Sequence, residues 1–299
     1  MLKKEIDFFE NKEIYLLTFL VLFSFFIRIP VVYVLGDTSL EHEWIVLVNN
    51  LINHGKLAFS YHDAHLSKYL FPNLYMPPLY AYYLYLFLIL NFQDQVNIQI
   101  VLFSQILLAS ISVIIFYKLN KIFFSKRLSF YSSVFFSAFP LHLYACSQIS
   151  SITLQTFLTI SFFYLFFRFI KEKNFSLVFL ISLTSGLLIL LRQEFVAVLI
   201  LSLAYAYTFY KINIKKIFFI FLISLITISP YLIRNFIIFD TITITKTTGY
   251  NLWKGSHPMA EGIEGSEIKD NNLRKKIDSI PKNKFYGLNY DNLFLNEAI

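Results

Sequence analysis

Apolar runs close to the length of a membrane span recur along this chain, at 14–35, 98–117, 128–147, 151–170, 176–192, 195–210 and 217–233. No other feature restricts the fold as strongly, because an α-helix needs about 20 mainly apolar residues to cross a bilayer. Within lipid the backbone must satisfy its own hydrogen bonds, so such runs fold as helices. The rest of the composition agrees: 57% of the 299 residues are hydrophobic and 15% are charged. Soluble domains carry about 25% charged residues.

The charges between the runs set the expected topology. Lys3, Lys4 and Lys12 precede the first run. Lys118, Lys121, Lys126 and Arg127 follow the second, Arg168, Lys171 and Lys173 the fourth, and Lys211, Lys215 and Lys216 the sixth. Cytoplasmic loops of membrane proteins are enriched in Lys and Arg. Seven spans with a cytoplasmic N-terminus place every one of these clusters inside. The expectation is an all-α polytopic protein of the cell (inner) membrane, with about seven transmembrane helices. No small-residue cleavage site follows the first run, so it reads as a retained anchor helix. The net charge of +7 belongs to this pattern and does not point to nucleic acid. Cys146 is the single cysteine, which excludes an internal disulfide framework.

The first outer loop, 36–97, is long, and long connections are usually functional. It contains "MPPLYAYYLYLFLIL" at 76–90, which is short for a span. An eighth span would also move the basic loop 118–127 outside. Tyr75, Tyr80, Tyr82, Tyr83 and Tyr85 crowd this segment, and tyrosine favours the headgroup level. Pro77 and Pro78 suit a first helical turn. The segment therefore reads as an interfacial helix, with a short tilted span as the alternative. Residues 39–54 read as a second interfacial helix, with Trp44, Leu47, Val48, Leu51 and Ile52 on one stripe. Gly55 is its expected stop. By composition the chain divides into a transmembrane module, 1–233, and an extracytoplasmic C-terminal segment, 234–299.

Three carboxylates stand just beyond the first run, in "GDTSLEHEW" at 36–44: Asp37, Glu41 and Glu43. A helix start explains part of this. Thr38 and Glu41 have the spacing of a capping box, and acids in a first turn favour the macrodipole. The functional reading is a general base or a metal ligand at the boundary of water and lipid. Arg28, Arg192 and Arg234 map to outer helix ends, against the positive-inside trend. Snorkelling, or a local pair of Arg192 with Glu194, would account for them. Recognition of a phosphate at headgroup depth would too, since a guanidinium fork suits it. Lys246 and Lys254 in the outer tail could add to such a site. All six histidines, 42, 54, 62, 65, 142 and 257, map to the outer side. His62, Asp63 and His65 could ligate a metal, at a spacing that is common by chance. No metal site is assigned, and a divalent ion stays open as a cofactor. No Gly-rich phosphate loop, Ser-His-Asp ordering or Cys-rich zinc pattern occurs, so a soluble nucleotide-sugar or ATP site is not supported.

Several motifs, in this order, resemble the membrane glycosyltransferases of the C superfamily, especially glycosyltransferase family 39. That family includes protein O-mannosyltransferases and the aminoarabinose transferases that act on lipid A. The matching features are Arg28, "LEHEWIVLVNNLINHG" from 40, "MPPLYAYYLYLF" from 76, "LLRQEF" at 190–195, "SPYLIRNFIIFD" at 229–240 and "TTGYNLWKGSHPMAEG" at 247–262. The resemblance implies a hexosyl- or pentosyltransferase whose sugar donor is carried on a polyprenyl phosphate. The acceptor would be a lipid, a glycan or a protein of the cell envelope, as in lipopolysaccharide modification. A carboxylate of the first outer loop would be the base, with Glu41 first, Glu43 second and Asp37 third. Arg28, Arg192, Arg234 and Lys254 would hold the donor phosphate on the extracytoplasmic side. The chain departs from the family at Pro77, where some members have lysine, and at 146–155, where only Gln148 and hydroxyls replace an acid. Family members are commonly longer, so a truncated chain is one expectation. Two other function classes stay in view: a lipid-linked sugar flippase or transporter, and a non-catalytic membrane partner.

Overall fold

The computed structural model describes residues 13–40, 42–60, 70–89, 98–256, 271–280 and 287–298, with the side chain of His42 excepted. It is almost entirely helical. In chain order the helices are α1 (Glu13–Leu35), α2 (His42–His54), α3 (Pro78–Ile89), α4 (Ile98–Phe123), α5 (Lys126–Ala138), α6 (Pro140–Ser147), α7 (Ile152–Glu172), α8 (Phe175–Leu191), α9 (Phe195–Tyr210), α10 (Ile214–Phe239), α11 (Thr248–Ser256), α12 (Asn271–Asp278) and α13 (Leu288–Ala298). Strands β1 (Ala58–Ser60) and β2 (Leu70–Pro72) pair antiparallel, with Phe59 opposite Phe71. Among the described residues four helices, α1, α4, α7 and α10, are long and apolar enough to cross a membrane, while α3, α8 and α9 are shorter apolar helices.

The expected run 128–147 is not one helix. It breaks between α5 and α6 at Phe139, which has φ −66° and ψ 122°. The cause is Pro140, which has no N–H to donate and forces the preceding residue out of the helical region. The helix expected over 39–54 begins instead at His42, so Thr38 does not cap it. Residues 36–40 are held otherwise. Asp37 N–H donates to Ser147 O at 3.1 Å, and Leu40 is buried. The expected stop at Gly55 is present, with φ +64° and its N–H on Leu51 O at 3.0 Å. Pro78 opens α3, the position where a missing N–H costs nothing.

The fold divides into two compact units, Met1–Leu40 with Tyr82–Ile228, and Glu41–Ala81 with Ser229–Ile299. In the first, Glu13 pairs with Lys121 at 2.5 Å, which joins the start of α1 to the end of α4. The Nζ of Lys216 donates to Lys173 O at 2.5 Å, which joins the first turn of α10 to the α7–α8 connection. The helices approach closely through small residues, as membrane helices do. Ser129, Ser133 and Ser137 form a fully buried stripe along α5. The hydroxyls of Ser185 and Ser224 meet at 2.7 Å between α8 and α10. Beside them, a Cβ on Gly186 would stand 2.6 Å from Thr227 Cβ.

The second unit contains α2, the β1–β2 hairpin, the last turns of α10 and the helices α11 to α13. Its small core is Trp253, Leu273, Ile277 and Phe294. Asp291, on α13, is buried and accepts the N–H groups of Gly249 and Tyr250 at 2.7 and 3.2 Å. It thereby satisfies two orphan donors at the N-terminus of α11.

Candidate active site

The acids are treated differently by the fold. Asp37 Oδ2 accepts the N–H of Ile149 at 2.6 Å, so this carboxylate ties the exit of α1 to the loop between α6 and α7. Gln148 strengthens the tie, donating to Leu35 O at 2.8 Å. Glu43 lies in the first turn of α2, half-buried, and makes no hydrogen bond or ion pair with a described residue. Its neighbour Trp44 packs edge-on against Tyr80, with centroids 4.9 Å apart. Glu41 lies outside the described residues, as do His62, Asp63, His65 and His257. Among the described residues, no group of three His, Cys, Asp or Glu side chains is placed to hold a metal ion.

The basic residues also separate. Arg28 is 1% exposed, and its Nη1 donates to Ser24 O at 2.8 Å and Ser24 Oγ at 2.5 Å. Its Nε has no hydrogen-bond partner. It lines a small cavity with Ala109, Ser112, Phe136, His142 and Thr153. A cation this deep in an apolar bundle is expensive and usually faces a functional pathway. Arg192 ends α8; its Nη2 reaches Ser151 Oγ at 3.4 Å, and its buried Nε has no partner. It forms no ion pair with Glu194, so that explanation of its charge falls away. Lys254 is half-buried in the last turn of α11. Lys246 stands 3.9 Å from Asp291 Oδ2 and donates its own N–H to Leu74 O at 2.8 Å.

Arg234 is a clamp within the second unit. Its Nη1 donates to Asn73 O and to Asn235 Oδ1, both at 2.6 Å, and its Nη2 to Leu57 O at 3.1 Å. Its guanidinium also lies over the rings of Tyr231 and Phe239. Asn235 continues the clamp by donating to Thr243 O at 2.6 Å. Asn73 is fully buried and accepts the N–H groups of Tyr75 and Met76 at 3.0 and 2.8 Å, an Asx turn that aims the chain into α3. Sequence reasoning did not single out Asn73 or Asn235. The signal for Asn73 was present, an asparagine shortly before a Pro-Pro turn.

A family model described as dolichyl-phosphate-mannose-protein mannosyltransferase matches residues 75–233, more than half of the chain. The chain belongs to this mannosyltransferase family. It is therefore a membrane glycosyltransferase of the C type, and the family implies a lipid-linked sugar donor and a bilayer setting. The mannosyltransferase match takes in α3 through most of α10, and with them Arg192. Arg28, Asp37, Glu41, Glu43, Arg234 and Lys254 lie on its two flanks. No curated protein and no solved structure matches the chain.

Proposed function

We propose that this protein transfers a sugar from a polyprenyl-phosphate-linked donor to an acceptor hydroxyl at the extracytoplasmic face, with inversion at the anomeric carbon. The observation that carries this reading beyond family membership is the contrast between the acids. A general base needs a carboxylate free to approach a substrate proton. Glu43 is free of the described residues, whereas Asp37 is engaged with Ile149 N–H. Glu43 is accordingly the favoured base among the described acids, and Glu41, two residues earlier, is its competitor. Asp37 acts by holding the α1 exit in place.

In the proposed reaction the glutamate accepts the proton of the acceptor hydroxyl as its oxygen attacks the anomeric carbon. The bond from that carbon to the phosphate oxygen breaks, and polyprenyl phosphate leaves with the electron pair. The departing phosphate gains negative charge, which preorganised cations stabilise. Arg28 and Arg192 support such a role because each keeps a buried Nε without a partner. Lys254 adds a half-buried cation, and Arg234 contributes through its field.

The test is transfer by the purified protein in nanodiscs, with a radiolabelled polyprenyl-phosphate sugar and candidate acceptors. Loss of transfer in Glu43→Gln or Glu41→Gln, with the protein still monodisperse, supports the reading. Wild-type transfer in both variants removes the carboxylate assignment. Movement of the labelled lipid across the bilayer with no new glycosidic bond would identify a translocase instead.

A further inference from the structure

The outward face of α4, α5 and α6 carries a second feature that the proposed reaction does not use. Phe116, Tyr131, Phe135, Phe136, Phe139 and His142 line a groove of about 560 Å³. This lies within the range of roughly 300–1,000 Å³ typical of ligand pockets. Most of its wall is made of rings. Phe116 stacks on Phe136 at 4.4 Å, and Phe136 and Phe139 meet His142 at 4.6 and 5.4 Å. From Tyr131 to His142 the groove follows about 15 Å of helix. The groove spans the break at Phe139 between α5 and α6.

The groove is apolar, but charge lies behind one end of it. Phe136 and His142 form part of its wall and also part of the cavity that holds Arg28. The Arg28 guanidinium is 1% exposed, and its Nε is unpartnered. Inside a bundle such a cation attracts an anion far more strongly than it would in water. The opposite end carries Arg127, whose guanidinium lies over the Tyr131 ring at 5.9 Å.

We infer that this groove holds the hydrocarbon chain of the polyprenyl phosphate, with the phosphate at the His142 end, in the field of Arg28. The inference rests on the polyprenyl-phosphate donor proposed above and specifies where that lipid lies. Length, aromatic lining and a single buried cation at one end fit one long chain with one anionic head. A bulk phospholipid of the basic side would instead place its head at Lys126 and Arg127.

A polyprenyl phosphate carrying a photoreactive diazirine on its chain tests this with the full-length protein in nanodiscs of phosphatidylcholine and phosphatidylglycerol. Cross-links are expected in the peptide containing residues 131–142, competed by unlabelled polyprenyl phosphate about tenfold better than by the matching polyprenol. Arg28→Gln should erase that preference, and Tyr131→Ala with Phe135→Ala should lower the cross-link yield while keeping the preference. If Arg28→Gln is not monodisperse, His142→Gln reads the same end. Cross-links confined to other helices overturn the inference. So does equal labelling of this peptide by a phosphatidylglycerol probe, or a preference that depends on Arg127 and not on Arg28. Transfer activity with cross-links elsewhere removes the groove and leaves the proposed reaction. Groove cross-links with no transfer to any acceptor leave the groove and remove the reaction.

Discussion

The carboxylate of Asp37 accepts the backbone N–H of Ile149 at 2.6 Å, across 112 positions of sequence. A charge-assisted bond of this kind contributes about 1.5–3 kcal/mol. Asp37→Ala is expected to lower the thermal unfolding temperature in detergent by that amount of stability. Sugar transfer per folded molecule should fall far less than in the glutamate variants. A loss of turnover as large as theirs, with stability unchanged, would make Asp37 the base.

Glu43→Gln is expected to give the reverse pattern. The side chain has no described partner to lose, so stability should change by no more than about 0.5 kcal/mol. Turnover should fall by about 10²–10⁴, the usual contribution of a positioned base. Running Glu41→Gln beside it decides which glutamate carries the step: the base is the one whose loss lowers kcat more than it raises KM.

Arg234→Ala should loosen the second unit. It removes the charged donors from Asn73 O and Leu57 O, which are left with the Tyr231 hydroxyl at 3.4 Å and the Asn73 N–H at 3.1 Å, at a cost of about 1.5–3 kcal/mol. Arg234→Lys should rescue little, because an ammonium cannot bridge both carbonyls as the planar fork does. Limited proteolysis is the measurement, with faster cleavage between residues 41 and 81 as the expected result. Protection equal to wild type would show that the clamp is dispensable.

Gly186→Ala should destabilise the α8–α10 contact, since its Cβ would meet Thr227 Cβ at 2.6 Å and Cγ2 at 2.7 Å. Overpacking of this kind costs about 1–3 kcal/mol. Gly255→Ala is the control: a Cβ there meets nothing within 4 Å. On helix propensity alone it should be neutral or stabilising by up to about 1 kcal/mol. Thermal unfolding of the two variants should differ in sign.

Much of the architecture was legible because its causes are local. Runs 14–35, 98–117, 151–170 and 217–233 coincide with α1, α4, α7 and α10, as bilayer-length hydrophobicity demands. Gly55 and Pro78 act where their backbone chemistry places them. The break at Phe139 was also written locally, in Pro140, but the run around it is apolar enough to hide it. Thr38 misled for a different reason. Its spacing to Glu41 is that of a capping box, yet tertiary bonds from Asp37 to Ser147 and Ile149 hold that stretch outside the helix.

The candidate site was legible as residue types and not as partners. Nothing in the spacing of Arg28, Arg192 and Arg234 distinguishes a buried cation with an idle donor from a cation that clamps carbonyls. That difference depends on Leu57 and Asn73, which stand 177 and 161 positions before Arg234. Ser24 is the exception: it lies one helical turn before Arg28, and an i to i+4 pair can be read from sequence alone.

The Arg234 clamp also imposes an order on synthesis. Asn73 emerges from the ribosome 161 residues before the arginine that will hold its carbonyl. At about 5–20 residues per second, that interval is roughly ten to thirty seconds. Throughout it, the hairpin and α2 must wait unfinished while the following helices are threaded into the bilayer. The first loop is thus among the earliest parts of the protein to be made and among the last to be locked.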